Sequence, residues 1–415
     1  MRSLLGRFHR PNARSQSEQL FMLNNLGDGS TLSLDFTTGV LDPRLTFTRS
    51  TTGTYINSSG YVTSAAINAP RFDYDPTTPT PRGLLIEGAA SNLATNSNLQ
   101  AGWLGGSNTT VTANTSEVTS PDGTNNAAKI ALTNAGYCSR FESISGLAAS
   151  TAHTFSYWIR GTAGNQQRVY SVTAGADLVT QTTLSYSTTG WTRVQINFTT
   201  TAAISNVYIY VASRPTGTAS DVIYVYGCQL EVGTGASSLI PTGASTGFRA
   251  VDFCTMPTAS FIPGNPYPQT LFVDCIPNTP SSAFLNIARI FDRTASGAFS
   301  YGTEIYYYNA STMTVGRKIT ASTNTDRSFA SGLSYGTRHK FALSIDASSY
   351  SGSYDGVTAL GVATAPTALA TVATHLGIGC TGDSTASSVM FGTIRQIKFY
   401  PTALSQSAIN TLTTL

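Results

Sequence analysis

The chain has 415 residues, enough for two or three domains. Charged residues make up 11% against 41% hydrophobic and 10% aromatic, which excludes a disordered chain and argues against long surface helices; no apolar run approaches the roughly 20 residues that span a bilayer. The formal charge of +3 resides in the first twenty residues, where Arg2, Arg7, Arg10 and Arg14 face one acid, Glu18; the neutral remainder argues against a broad nucleic-acid groove, and the basic arm reads as a docking peptide for an acidic protein surface, with nucleic-acid contact as the alternative.

Residues 1–30 read as a basic arm. Leu4-Leu5 is too short for the apolar core of a signal peptide, and Arg7, Arg10 and Arg14 interrupt the stretch after it. Ser15-Gln16-Ser17-Glu18 fits a capping box, with Leu20, Phe21 and Leu23 as an apolar stripe and Gly27 as a stop. A helix this short is marginal alone in water, so it is expected to order against a partner. Arg7, Phe8, Leu20, Phe21 and Leu23 are the expected anchoring contacts; a frayed terminus is the alternative.

Residues 31–97 read as an extended β collar. Leu45, Phe47 and Arg49 alternate with Thr46, Thr48 and Ser50. Asn57-Ser58-Ser59-Gly60 suits a tight turn between Tyr55-Ile56 and Tyr61-Val62-Thr63. Pro70, Pro76, Pro79 and Pro81 forbid a helix, and Gly83-Leu84-Leu85-Ile86-Glu87 reads as a short apolar strand. Residues 98–243 carry several strand patterns: Thr154 to Arg160, Thr192 to Phe198, Ser205 to Val211 with Val207, Ile209 and Val211 opposite Tyr208 and Tyr210, and Asp221 to Leu230. Short strands at this spacing predict a β-sandwich. A Gly-rich linker spans roughly 232–252. Residues 244–415 predict a second sandwich, with strands at Thr270 to Cys275, Leu285 to Asp292, Thr303 to Tyr308, Arg338 to Ile345, Val389 to Ile394 and Gln396 to Tyr400, and a short terminal helix capped by Ser405. The fold class expected is all-β. Cys138, Cys228, Cys254, Cys275 and Cys380 form no Cys-x-x-Cys pair and sit mostly in apolar runs, which predicts buried free thiols in a reducing cytoplasm. With four scattered histidines, no zinc site is expected.

Three stretches carry resemblances. Thr46-Phe47-Thr48-Arg49, Thr54-Tyr55, Gly60, Ala66, Asn68, Pro70-Arg71-Phe72-Asp73-Tyr74-Asp75-Pro76, Gly83 to Glu87 and Asn92-Leu93 resemble a collar of tailed-bacteriophage virion appendages, that is tail fibres and head fibres or spikes. Gly146 to Arg160, Gly190 to Arg193 and Tyr224 to Glu231 are similar to a jelly roll of the carbohydrate-binding-module type. His339 to Ile345, Ser353-Tyr354-Asp355-Gly356-Val357 with its Asp-Gly turn, and Phe391 to Ser405 resemble a concanavalin-A-like lectin/glucanase sandwich. These resemblances imply a virion protein assembled in the host cytoplasm, a homotrimer joined to other virion proteins through residues 1–30, and a bacterial surface polysaccharide as ligand, with no nucleic-acid partner and no membrane insertion.

Glycan hydrolysis needs two carboxylates at a set separation. The nearest pair, Asp73 and Asp75, sits among Phe72, Tyr74 and Pro76, where turn formation and pairing with Arg71 or Arg82 is the expected role. The Glu-x-Asp-x-x-Glu strand of related glucanases is missing, and Glu304 stands alone among aromatics. No catalytic residue, cofactor or metal is therefore expected; Asp355 and Asp383 are weighed as calcium ligands and read as turn residues. The aromatics nominated for sugar contact are Trp103, Tyr208, Tyr210, Tyr306 and Tyr308, against the alternative of core or interface packing. A polysaccharide depolymerase using Asp73 or Glu304, and a head fibre that decorates the capsid without finding a host, are the competing functions.

Overall fold

The computed structural model describes residues 27–415 except 163, 204, 216–217, 263–267, 279–284, 294–298, 310–311, 321–322, 332–333, 347–348, 365–372 and 381–388; for 104–105, 293, 299–301, 307–309, 312–320, 323–331, 349–350 and 360–364 it describes the backbone alone. Residues 1–26 of the expected anchor, with Arg7, Phe8, Leu20, Phe21 and Leu23, lie outside the described residues, as does Asp383, while Asp28 near the anchor's end pairs with Lys398 at 2.7 Å.

Alternating apolar and polar residues build two β-sandwiches. In the middle one, Thr192–Thr199, Ala152–Gly161, Val222–Val232, Ala128–Leu132 and Thr109–Thr112 form one sheet, in that order. Ala176–Asp177, Val169–Ser171, Ser205–Arg214, Cys138–Leu147 and Leu104–Gly105 form the other. All these pairs are antiparallel. Val207, Ile209 and Val211 turn inward as the period-2 pattern requires, against Phe155, Tyr157, Ile159, Val225 and Leu230.

The second sandwich is built from both ends of the chain. One sheet runs Val357–Thr364, Ser349–Tyr354, His339–Ile345, Gln269–Pro277, Gly392–Tyr400, Pro81–Ile86, Phe72–Tyr74, and Leu32–Asp35 also pairs with Gly392–Tyr400. The other begins with Thr46–Thr48 beside Phe253–Pro257 and continues through His375–Ile378, Leu285–Arg293, Phe299–Asn309, Thr312–Thr320 and Thr323–Ser331. Leu32, Leu34, Phe36, Phe47, Leu84 and Ile86 belong to the same core as Leu271, Ile290, Phe341, Ile394 and Phe399. Most collar strands thus complete the sandwich of residues 244–415. The hairpin Gly53–Ile56/Val62–Ala65 instead packs Val62 against Trp158, Tyr226 and Leu239 of the middle region. The helix Gln406–Thr413 closes the chain, its first turn capped by Ser405, whose hydroxyl accepts from the Ala408 amide at 3.3 Å. All five cysteines are buried free thiols.

The collar's polar residues explain themselves once it is folded. Gly83 sits at φ +103°, and a Cβ there would lie 2.1 Å from the Ile394 carbonyl oxygen in the neighbouring strand, so no other residue fits. Arg49, Arg71 and Arg249 are buried with Glu87 and Asp252. Arg49 Nη1 donates to Asp252 Oδ1 at 3.1 Å, and Nη2 to the Ala66 carbonyl at 2.8 Å. Arg71 donates through Nη2 to Asp252 Oδ2 and through Nη1 to Glu87 Oε2 (2.7 Å) and the Thr54 carbonyl (2.8 Å). Arg249 Nη1 lies 3.0 Å from Glu87 Oε2. Ser238, in the linker, donates its amide and its hydroxyl to Glu87, each at 2.7 Å. Asn92 ties the collar's end to the middle sandwich: Nδ2 donates to the Cys228 and Ile240 carbonyls, and Oδ1 accepts from the Leu230 amide.

Burial alone would raise the Glu87 carboxyl, but Arg249, Arg71 and Ser238 outweigh it and hold it at about 2, against 4.5 for a free carboxyl. A depressed carboxylate contributes stability that is present above the unfolded value and lost as pH falls towards the folded one, here about 3 kcal/mol between pH ~4.5 and ~2. Glu87→Gln should cost roughly 3–5 kcal/mol at pH 7, because the arginines keep their charge and lose a partner. It should also flatten the acid limb in urea unfolding measured from pH 5 to 2.5; an unchanged slope in that range would contradict this role.

Candidate functional site

The outer face of the sheet that holds Ser205–Arg214 gathers aromatic side chains. Register places Tyr210 opposite Phe141 and Tyr208 opposite Ser143 on one side, and Tyr208 opposite Tyr170 on the other. Phe141 lies 4.5 Å from Tyr208 and 5.0 Å from Tyr210 between ring centroids, and Tyr170 lies 6.2 Å from Tyr208. Arg168 sits at the centre of this face, its guanidinium carbon 4.7 Å from the Tyr210 ring, 5.4 Å from Tyr170 and 6.0 Å from Tyr137. It is held by Asp177 Oδ1, which accepts from Nε at 2.8 Å, and by the Tyr137 hydroxyl at 2.5 Å. Tyr210 lies beneath it; burial, partly offset by Arg168, pushes its phenol up to about 12. Tyr137 is exposed, while Phe141, Tyr170, Tyr208 and Arg168 are partly exposed. A fixed cation amid ring faces and edges can take the apolar face of a sugar on a ring and a hydroxyl or anionic oxygen on the guanidinium.

Of the nominated residues, Tyr208 presents a partly exposed ring on this face, whereas Tyr210, 5% exposed, is covered by Arg168 and packs beneath it. Trp103 is elsewhere and buried, only 7% exposed: its indole Nε1 donates to the Thr95 and Asn96 carbonyls at 3.1 Å each and its ring lies 6.5 Å from Phe155, so it is a packing residue. Tyr306 is 5% exposed and presents no ring to solvent. The Tyr308 side chain lies outside the described residues. Phe141, Arg168, Tyr170 and Tyr137 were missed. Cys138–Leu147 does alternate, with Glu142 and Ile144 inward against Phe141 and Ser143 outward, and that signal would have found Phe141. Tyr170 lies in a strand of three residues, Val169–Ser171, too short to show a period, and Arg168 immediately precedes it.

The acids weighed for catalysis are engaged structurally. Asp75 accepts from the Thr77 and Thr78 amides and pairs with Arg82 at 2.7 Å; burial raises its carboxyl, but these partners bring it down to about 2. Asp73 accepts from the Ile56 amide at 2.7 Å, and burial pushes it up to about 6. Its effect on stability has the opposite sign to that of Glu87: a raised carboxyl destabilises the fold at neutral pH, and stability is regained as pH falls through 6. Glu304 pairs with Arg289 at 3.2 Å. Asp355 occupies the Asp-Gly turn at φ +46°, where its carboxylate contacts His339 Nδ1 at 2.6 Å and accepts from the Lys340 amide at 2.8 Å.

No protein-family model matches the chain, and no curated protein does. Among solved structures, the CBM40 of Ruminococcus gnavus IT-sialidase bound to α2,3-sialyllactose is similar at 14% identity, over 35% of this chain and 82% of that one, with a TM-score of 0.32. Domain 4 of AbnA, a GH43 extracellular arabinanase from Geobacillus stearothermophilus in complex with arabinotriose, is similar at 12% identity, over 40% and 73%, with a TM-score of 0.32. The CBM22-1 xylan-binding domain of Paenibacillus barcinonensis Xyn10C is similar at 10% identity, over 36% and 99%, with a TM-score of 0.26. These overlaps are partial, and the β-sandwich architecture of this chain rests on its own strand pairing.

Proposed function

We propose that this chain is a structural adhesion protein of a tailed-phage virion, anchored by residues 1–30 and using its middle sandwich to hold a bacterial surface glycan. The observation that carries the binding reading is the face of rings around Arg168. Sugars offer C–H faces that stack on aromatics and hydroxyls that accept from a fixed guanidinium, and both partners are in place before the ligand arrives, so little ordering cost is added on binding. The virion reading is supported by the collar's resemblance and by the collar's structural use: its motif residues Arg49, Arg71, Glu87 and Asn92 join the sandwiches instead of forming a reactive site. A fibre or spike must transmit position from its anchor to its tip, and buried ties of this kind suit that task. Trimerisation belongs to the same proposal. Binding is favoured over depolymerisation because Asp75 and Glu304 are each held in an ion pair, and Asp73 is held by a backbone amide.

Binding of the full chain to a panel of host capsular and lipopolysaccharide glycans, read by biolayer interferometry, should weaken about tenfold in Tyr208→Ala and in Tyr170→Ala, with thermal stability changed little. Equal affinity in both variants would remove the platform from the account, and release of reducing sugar from any bound glycan would replace adhesion with hydrolysis. Removal of residues 1–30 should leave the glycan binding of the soluble protein unchanged and abolish its incorporation into particles, scored by immunogold labelling; normal labelling of particles would refute the anchor.

A further inference from the structure

The opposite face of the middle sandwich carries a second recess. It opens where the hairpin Gly53–Ile56/Val62–Ala65 lies against the strands Ala152–Gly161 and Thr192–Thr199. A cavity of about 720 Å³ is lined there by Tyr61, Val62, Pro76, Trp158, Trp191 and Arg193, among others. A smaller cavity of about 190 Å³ shares Val62, Pro76, Trp158 and Arg193 and adds Asp73. A third, of about 250 Å³, also reaches Arg193. The larger volume is that of an ordinary small-ligand site.

Arg193 is the common element of all three. Its guanidinium carbon lies 4.4 Å from the centre of the Trp158 ring, and Nη2 donates to the Ser156 hydroxyl at 3.1 Å. Its Nε is buried without a hydrogen-bond partner, and among the described residues no carboxylate pairs with it. The acids nearest in the electrostatic sense, Glu231, Glu87 and Asp73, are committed elsewhere: Glu231 to Ser237 and Gln229, Glu87 to Arg71, Arg249 and Ser238, Asp73 to the Ile56 amide. A guanidinium fixed in a recess and left without an anion is an incomplete charge pair, and planar donors of this kind match a carboxylate in two-point fashion. Tyr61, Trp158 and Trp191 place aromatic rings in the walls. Tyr61 is 43% exposed, and Trp191, partly exposed, is fixed by its Nε1–H, which donates to the Thr119 carbonyl at 2.8 Å.

We propose that this junction recess binds the carboxylate of an acidic sugar, a uronic acid or another carboxylate-bearing residue of a surface polysaccharide, on Arg193, with the sugar ring against Trp191 or Tyr61. The choice of a saccharide over an acidic peptide rests on the proposed adhesion function and on the aromatic walls. The site is built by two parts of the chain distant in sequence, so it exists only in the assembled protein.

The test is calorimetric titration of the full chain with oligogalacturonate, oligoglucuronate and a sialyl-oligosaccharide, each beside its neutral counterpart. At least one acidic sugar should bind ~10- to 100-fold more tightly than its neutral partner, and Arg193→Gln should erase that difference while Arg193→Lys keeps part of it. Trp191→Ala should weaken the same ligand, which guards against a folding defect at Arg193. Tyr208→Ala should leave this binding intact even though it weakens the outer face; loss of the acidic-sugar binding in Tyr208→Ala would assign that ligand to the outer face and overturn the proposal. Equal binding of acidic and neutral sugars, no heat with any of the three at millimolar concentration, or an equal affinity for oligoglutamate would overturn it as well.

Discussion

Three buried arginines share two buried carboxylates where the N-terminal strands meet both sandwiches. Removing five charges from water costs several kcal/mol per ion, and replacing such a group by apolar side chains is often neutral or stabilising. Its physical return lies in geometry. Arg71 must reach Glu87, Asp252, Ser238 and the Thr54 carbonyl at once, and Arg49 must reach Asp252 and the Ala66 carbonyl. One placement of collar, linker and sandwich strands satisfies all of them; a slip of any piece leaves a buried charge without a partner. The network is therefore a register lock, and the apolar contacts around it provide the bulk of the stability.

Both candidate sites depend on that lock to different degrees. The outer aromatic face is made within one sheet, by register between Cys138–Leu147, Ser205–Arg214 and Val169–Ser171, and would persist if the junction loosened. The junction recess is not internal to any module. Tyr61 and Val62 arrive on the collar hairpin, while Trp158, Trp191 and Arg193 come from the middle sandwich. Asp73, in the strand Phe72–Tyr74 just after Arg71, lines the smaller cavity that shares Arg193, and burial there raises its carboxyl to about 6.

Much of this was legible locally. The alternation around Phe47, the turn ending at Gly60 at φ +81°, the Asp355-Gly356 hairpin and the Ser405 cap are all short-range signals, and the all-β class came from composition and strand spacing. The long-range pairing was not legible. Leu32–Asp35 joins Gly392–Tyr400, and Thr46–Thr48 joins Phe253–Pro257, across more than 200 residues, and nothing in either segment alone names its partner. The site divided in the same way. Tyr208 and Tyr210 could be read as facing outward, but Arg168 and Phe141 became neighbours only through register. Trp103 follows the packing alternative, because two carbonyls satisfy its indole and allow it to be buried.

If the buried charges lock the modules together, the collar and both sandwiches should unfold as one cooperative unit. Differential scanning calorimetry of the full chain at neutral pH is the direct measurement. A single transition is expected, in which the calorimetric and van't Hoff enthalpies agree. Two separated transitions, one for the middle sandwich and one for the sandwich completed by the collar, would contradict it.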